Sequence, residues 1–211
     1  MPRSQRTILI AALAFALGYA WLRGAFVFAS GAVAPEAAVA ANAGTATFAA
    51  GCFWSAESAF EGLPGVLRVT AGYTGGTVVK PTYEQVSAGA TGHAEAVEIR
   101  FDPARVTYSQ LLDHFWHQVD LFAAHQQFCD LGDQYRPAIF VHDNDQRSAA
   151  EASRRHWQEH FGRPILVEVA DASPFYRAEA YHQDYAVRFP AQYRFYRWMC
   201  GRDTRLHEIW H

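Results

Sequence analysis

Cysteine is scarce in this chain and positive charge is nowhere crowded, and each shortage closes off a class of function. The three cysteines among 211 residues, Cys52, Cys129 and Cys200, are too few for a disulfide scaffold, and none lies in a C-x-x-C pair of the kind that holds a structural zinc. The 18 Lys+Arg are scattered among 21 Asp+Glu for a net charge of −3, so there is no basic stripe to neutralise a row of phosphates, and nucleic acid is excluded as a partner. There is no internal repeat and no Gly-x-Gly-x-x-Gly. What the chain does have is half its residues hydrophobic and 15% aromatic, enough for one packed core and too much for a disordered tail.

The first forty residues read as an address. Arg3 and Arg6 precede an apolar run from Ile8 to Leu22, and after Arg23 the apolar character resumes through Ala34. This is the pattern of a signal peptide, with small-x-small cleavage sites at Ala32-Val33-Ala34 and Ala38-Val39-Ala40, or of an uncleaved anchor over residues 8–34. Either way residues 41–211 are expected outside the cytosol, periplasmic or secreted, with the membrane touched only through the N-terminal segment. The stretch from Pro35 to Gly44 is an Ala-rich linker.

Beyond it, hydrophobic period and punctuation predict a strand over Thr45–Ala50, a helix over Ser55–Glu61 and a strand over Val66–Ala71. A Gly/Thr/Pro-rich loop over Gly72–Tyr83 and a strand over His93–Phe101 follow. Thr107-x-x-Gln110 resembles a capping box and opens an amphipathic helix carrying Leu111, Leu112, Phe115, Trp116 and Val119. A strand at Pro137–His142, a helix at Asp145–Phe161 and a strand at Ile165–Ala170 complete the pattern. Strands and helices alternate, yet a Gly-rich loop joins two consecutive strands, so an α+β domain with a mixed sheet is expected.

The richest feature is Gly51-Cys52-Phe53-Trp54. A thiol at the first turn of a helix meets unsatisfied N–H groups and the positive end of the helix dipole, and its pKa is expected to fall from the usual value of about 8.5. Gly51, lacking a Cβ, permits close approach to the sulfur.

Further along come Ala56-Glu57, Pro64-Gly65-Val66, Ala71-Gly72-Tyr73-Thr74-Gly75-Gly76 and Pro81-Thr82-Tyr83. Thr91-Gly92-His93-Ala94-Glu95-Ala96-Val97, Asp102-Pro103, Gln134-Tyr135-Arg136 and Tyr181-His182-Gln183-x-Tyr185 complete the series. In this order the motifs resemble the peptide methionine sulfoxide reductases of type A, over about residues 45 to 190. The resemblance implies a two-layer sandwich with a ferredoxin-like core. It also implies reduction of the S epimer of methionine sulfoxide, in proteins and free, by Cys52 as nucleophile with Glu95 as acid.

A sulfoxide sulfur is electrophilic, but its oxygen leaves only if protonated, so thiolate and neutral carboxyl are needed together. By the same resemblance Tyr83 and Tyr135 hold the oxygen, Asp130 orients the site, and Phe53 and Trp54 receive the terminal methyl. The resulting Cys52 sulfenic acid condenses with a second thiol. Here the chain departs from relatives with a glycine-rich tail and two late cysteines, for only Cys200-Gly201 precedes the charged stretch from Arg202 to His211. Cys200, on a late flexible segment, is the favoured resolving thiol and Cys129 the alternative. A thioredoxin-type dithiol restores the enzyme, with no bound cofactor or metal, and a monomer is expected.

Three short patterns, His114-x-x-His117, His156-x-x-x-His160 and Glu179-x-x-His182, have metal-ligand spacing but too few ligands each. Two other functions compete: a Cys-His hydrolase or acyltransferase with His93 or His182 as base, and an envelope binding module using the Tyr-rich loop.

Overall fold

The computed structural model describes residues 42–211, so the N-terminal address and its cleavage sites lie outside the described residues. Strand β1 (Gly44–Ala49) runs into helix α1 (Phe53–Phe60), and β2 (Val66–Thr74) continues three residues further than its apolar pattern predicts. Within the loop that follows, Thr82 and Gln85 cap each other and start a short helix α2 (Tyr83–Ser87), which the glycine-rich composition concealed. Then come β3 (Ala94–Phe101) and α3 (Tyr108–Trp116). The expected capping box at α3 is formed: the Gln110 amide donates to Thr107 Oγ1 at 3.2 Å, and the Thr107 amide donates to Gln110 Oε1 at 2.8 Å.

A two-strand hairpin, β4 (Gln126–Gln127) with β5 (Asp130–Leu131), precedes β6 (Ala138–Val141). The long helix α4 (Asn144–Phe161) ends on Gly162 in the left-handed region, and β7 (Glu168–Asp171) and β8 (Tyr176–Arg177) follow. Three helices close the chain: α5 (Tyr185–Arg188), α6 (Pro190–Met199) and α7 (Arg202–Trp210). None of the described helices is long and apolar enough to cross a membrane.

The main sheet has the order β7-β6-β1-β3-β2-β8, with only β6 and β7 parallel. Its inner four strands with α1 and α3 form the βαββαβ arrangement of a ferredoxin-like core, and the sheet is mixed as expected. The alternation along β3 explains what sits where. Val97, Ile99 and Phe101 face the main core, while Ala94 and Ala96 face a smaller cluster around Phe140 and Phe175. Glu95 shares the parity of Val97 and so points into the core, opposite Tyr73 of β2.

Phe48 of β1 anchors the helix layer, its ring 5.4 Å from that of Phe60 on α1 and 5.0 Å from that of Phe115 on α3. Truncating such a buried ring to alanine costs about 3–5 kcal/mol.

The C-terminal region is not the flexible segment that its charge pattern suggests. Cys200 is the C-cap of α6 and Gly201, in the left-handed region, turns the chain directly into α7. Trp210 stacks on His117 at 3.9 Å and meets Trp157 edge-on at 4.7 Å. Arg202 is buried, and its guanidinium donates to the carbonyls of Ala50 and Gln118. Those contacts convert a charged sequence into an ordered lid over the end of β1.

Candidate active site

The site is built where β1 hands over to α1. Gly51 has φ +82°, and a Cβ there would lie 2.6 Å from Gln127 Cβ, so two independent constraints select glycine immediately before the cysteine. Cys52 is the N-cap of α1, and its carbonyl accepts from the amides of Ser55 and Ala56. The first helical amide, that of Phe53, donates to Glu95 Oε2 at 2.9 Å. The helix terminus thus engages the carboxyl as well as the sulfur.

This geometry reverses one expectation. Burial pushes the Cys52 thiol well up rather than down, and the neighbouring Glu95 and Asp130 push in the same direction. Hydrogen bonding with the Tyr196 hydroxyl and the Trp54 amide opposes the rise without overcoming it. Desolvation of a sulfur that is only 7% exposed outweighs one turn of helix dipole. Desolvation therefore favours the neutral thiol.

Glu95 lies at the same helix terminus. Burial, opposed by the Phe53 amide and reinforced by Asp130, raises its carboxyl to about 8, so it carries a proton at neutral pH. Tyr83 and Tyr135 lie in the same field of charges: burial raises both phenols, Tyr83 to about 12, and Glu95, Cys52 and Asp130 add to it. Both hydroxyls remain neutral donors. Asp130 accepts from the Tyr196 hydroxyl at 2.5 Å, and its pKa is raised by burial against the pull of that bond and of Arg202.

An aromatic cup surrounds the thiol. Phe53 is buried against Tyr73, Tyr83 and His182, with ring centroids 5.8, 6.5 and 4.8 Å away. Trp54 stacks face to face on Tyr185 at 3.8 Å, meets Tyr196 edge-on and donates from Nε1 to His182 Nδ1 at 3.0 Å. Glu179 ties the cup together, accepting from the Tyr73 hydroxyl and the Tyr83 amide. Of the walls His182, Tyr185 and Tyr196, motif reading assigned none to the reductase site, and His182 only as a base in the competing hydrolase. The first two stand within a quoted motif, but Tyr196 is joined to Asp130 only by the folding of α6.

The two remaining cysteines are bonded to each other. Cys129 and Cys200 form a disulfide with Cα atoms 4.8 Å apart, and Cys52 is free. The fold thus brings together both cysteines named as candidate resolving thiols.

Neither candidate histidine has a ring lone pair free to act as the base. His93 is engaged on both ring nitrogens, by the Gly76 amide and the Val78 carbonyl, and His182 Nδ1 is occupied by Trp54. The hydrolase reading therefore lacks its base. Among the described residues, the groups of three metal-type ligands are Cys129–Asp130–Cys200, whose sulfurs are bonded, and Glu57–Glu61–Asp184. His114 and His117 instead bond the carbonyls of Ala59 and Asp113.

A free thiol beside a protonated carboxyl, two phenols and an aromatic cup, with a second pair of cysteines close by, defines a thiol-dependent oxidoreductase. Comparison with known proteins narrows the class. The model of the family described as peptide methionine sulfoxide reductase matches residues 44–211. The peptide methionine sulfoxide reductase MsrA of Ligilactobacillus salivarius is 47% identical over 168 residues, 79% of this chain and 97% of that one. The MsrA of Bacillus licheniformis is 46% identical over 167 residues, 78% of this chain and 92% of that one.

Among solved structures, reduced Mxr1 from Saccharomyces cerevisiae superposes with TM-score 0.68 at 28% identity, covering 71% of this chain and 87% of that one. Methionine sulfoxide reductase A of Corynebacterium diphtheriae superposes with TM-score 0.63 at 30% identity, covering 70% and 76% respectively. The chain belongs to the peptide methionine sulfoxide reductase family, and it is an oxidoreductase that returns methionine sulfoxide to methionine.

Proposed function

We propose that the chain reduces the S epimer of methionine sulfoxide by direct attack of Cys52 on sulfur while Glu95 protonates the departing oxygen. The observation that carries this reading is the pairing of a free, buried thiol with a carboxyl that is neutral at pH 7, both held by the first turn of α1. The substrate methyl enters the cup of Phe53 and Trp54, where burying it gains about 0.8 kcal/mol. Tyr83 and Tyr135 donate to the oxygen.

Because burial favours the neutral thiol, its proton must leave as the sulfur attacks. The Tyr196 hydroxyl, between Cys52 and the Asp130 carboxylate, supports a route for it. As the new sulfur–sulfur bond breaks, the protonated oxygen passes to Cys52, giving methionine and a Cys52 sulfenic acid, and the proton that Glu95 spends is matched by the one that Asp130 receives.

Cys200 then attacks. It lies one turn after Tyr196 on the same face of α6, so the helix that reaches the Cys52 sulfur also carries the second thiol. Water leaves and a Cys52–Cys200 disulfide forms. The Cys129 thiolate displaces Cys52 from Cys200, freeing the Cys52 thiol and producing the Cys129–Cys200 bond. A thioredoxin-type dithiol reduces that bond.

Residues 1–40 are proposed as a signal peptide or an anchor that places the enzyme, as a monomer, outside the cytosol, where oxidised envelope proteins are its substrates. Mass spectrometry after one turnover tests the sequence of bonds. Cys129→Ser is expected to trap Cys52–Cys200, and Cys52→Ser to abolish reduction. Product release by Cys52→Ser at the wild-type rate overturns the reading.

A further inference from the structure

Four of the exposed large hydrophobic side chains gather, in sequence, about the two bonded cysteines. Trp198, 75% exposed, and Met199 precede Cys200, and Leu131, 69% exposed, lies two residues after Cys129. Phe195 joins them, its ring 6.0 Å from that of Trp198, on the outward side of the helix whose inward side carries Tyr196. Cys129 is itself exposed, whereas Cys52 is buried. From Tyr185 to Arg202 there is no Asp or Glu, and Arg188 and Arg194 are exposed beside the apolar side chains. On a protein of net charge −3, this stretch carries only basic charges.

Resting on the reading that Cys129–Cys200 is the bond to be reduced, we propose that Leu131, Phe195, Trp198 and Met199 form the docking surface of the reductant, a protein whose dithiol is set in an apolar patch rimmed by carboxylates. Such a partner must bring one sulfur to within bonding distance of Cys129, the more exposed of the two. Apolar groups close to that point supply affinity, and Arg188 and Arg194 supply orientation and encounter rate. An anionic lipid surface matches the same charge and apolarity, but it offers no dithiol to a disulfide, so the observations favour a protein.

In the step itself, one thiolate of the partner attacks Cys129 and a mixed disulfide forms as Cys200 leaves as thiolate and takes up a proton. The partner's second thiol then displaces Cys129, so that the partner is oxidised to its disulfide and both cysteines are reduced.

The test uses the full chain and two reductants, thioredoxin recycled by its NADPH-dependent reductase and dithiothreitol. For Leu131→Ser/Trp198→Ser/Met199→Ser, the KM for thioredoxin is expected to rise about tenfold or more while the dithiothreitol-driven rate stays within about twofold of wild type. Arg194→Glu, a milder change on the same face, is expected to lower kcat/KM for thioredoxin and weaken its salt dependence. The proposal is overturned if thioredoxin turnover is unchanged, if both reductants fail equally, or if wild type turns over with dithiothreitol but never with thioredoxin. It is also overturned if the triple variant loses binding to anionic phospholipid vesicles with thioredoxin turnover intact. A wild-type enzyme that reduces no sulfoxide even with dithiothreitol instead sinks the underlying assignment of function.

Discussion

The inner sulfur and the outer pair are governed by opposite demands. Cys52 is held buried and unbonded against the end of a strand, where desolvation favours its neutral form. Cys129 and Cys200 sit at the rim of the fold, one on an irregular hairpin and one at a helix end, where a protein partner can reach them. A buried thiol is shielded from adventitious oxidants but equally from its reductant. On the proposed relay, a second couple nearer the surface meets that conflict, and α6, which carries both Tyr196 and Cys200, connects the two.

The comparison breaks most completely at Glu95. Glu95→Gln keeps the side chain's shape and removes its transferable proton, so sulfoxide reduction is expected to fall by about 10²–10⁴-fold in single-turnover assays. For the wild type the same step should decline as pH rises through about 8, where the carboxyl ionises.

Wild-type stability should also fall as pH rises. The folded carboxyl holds its proton to about 8 against 4.5 for the ordinary group, so between those values the folded state binds the extra proton and stability falls as pH rises. Removing the penalty should make the Gln variant more stable at pH 7, by on the order of 3 kcal/mol in urea unfolding.

Arg202→Met sharpens the comparison from the outer side. It leaves the Ala50 and Gln118 carbonyls without their donor and removes the cation facing Asp130. A loss of about 2–4 kcal/mol of stability is expected by denaturant titration. The smallest effect belongs to Gly51→Ala, in which left-handed strain and the overlap with Gln127 together cost about 1–2 kcal/mol. Because the strained residue directly precedes Cys52, kcat should drop with it.

Much of this was legible in the linear chain. The Thr107 capping box and the strand before Gly51 follow from local rules, and α1, β6 and α4 stand within a few residues of their expected bounds. The α2 helix was hidden because glycine, threonine and proline dominate its surroundings, although Thr82 and Gln85 held the capping signal. The last two helices were obscured for a different reason. Their pattern of arginines and exposed aromatics reads as a charged tail, and only contacts with Ala50, Gln118, Trp157 and His117 make them part of the fold.

Sequence alone marked the candidate atoms: a cysteine at a strand-to-helix turn, a glutamate at the start of a strand, and the order of motifs that marks the family. Their electrical states and their pairing were decided by tertiary structure. Ionisation depends on how much water reaches a group and which charges face it, and neither is written in neighbours along the chain. That is why a helix-terminal cysteine expected as thiolate is favoured as thiol, and why two cysteines 71 positions apart meet in one bond.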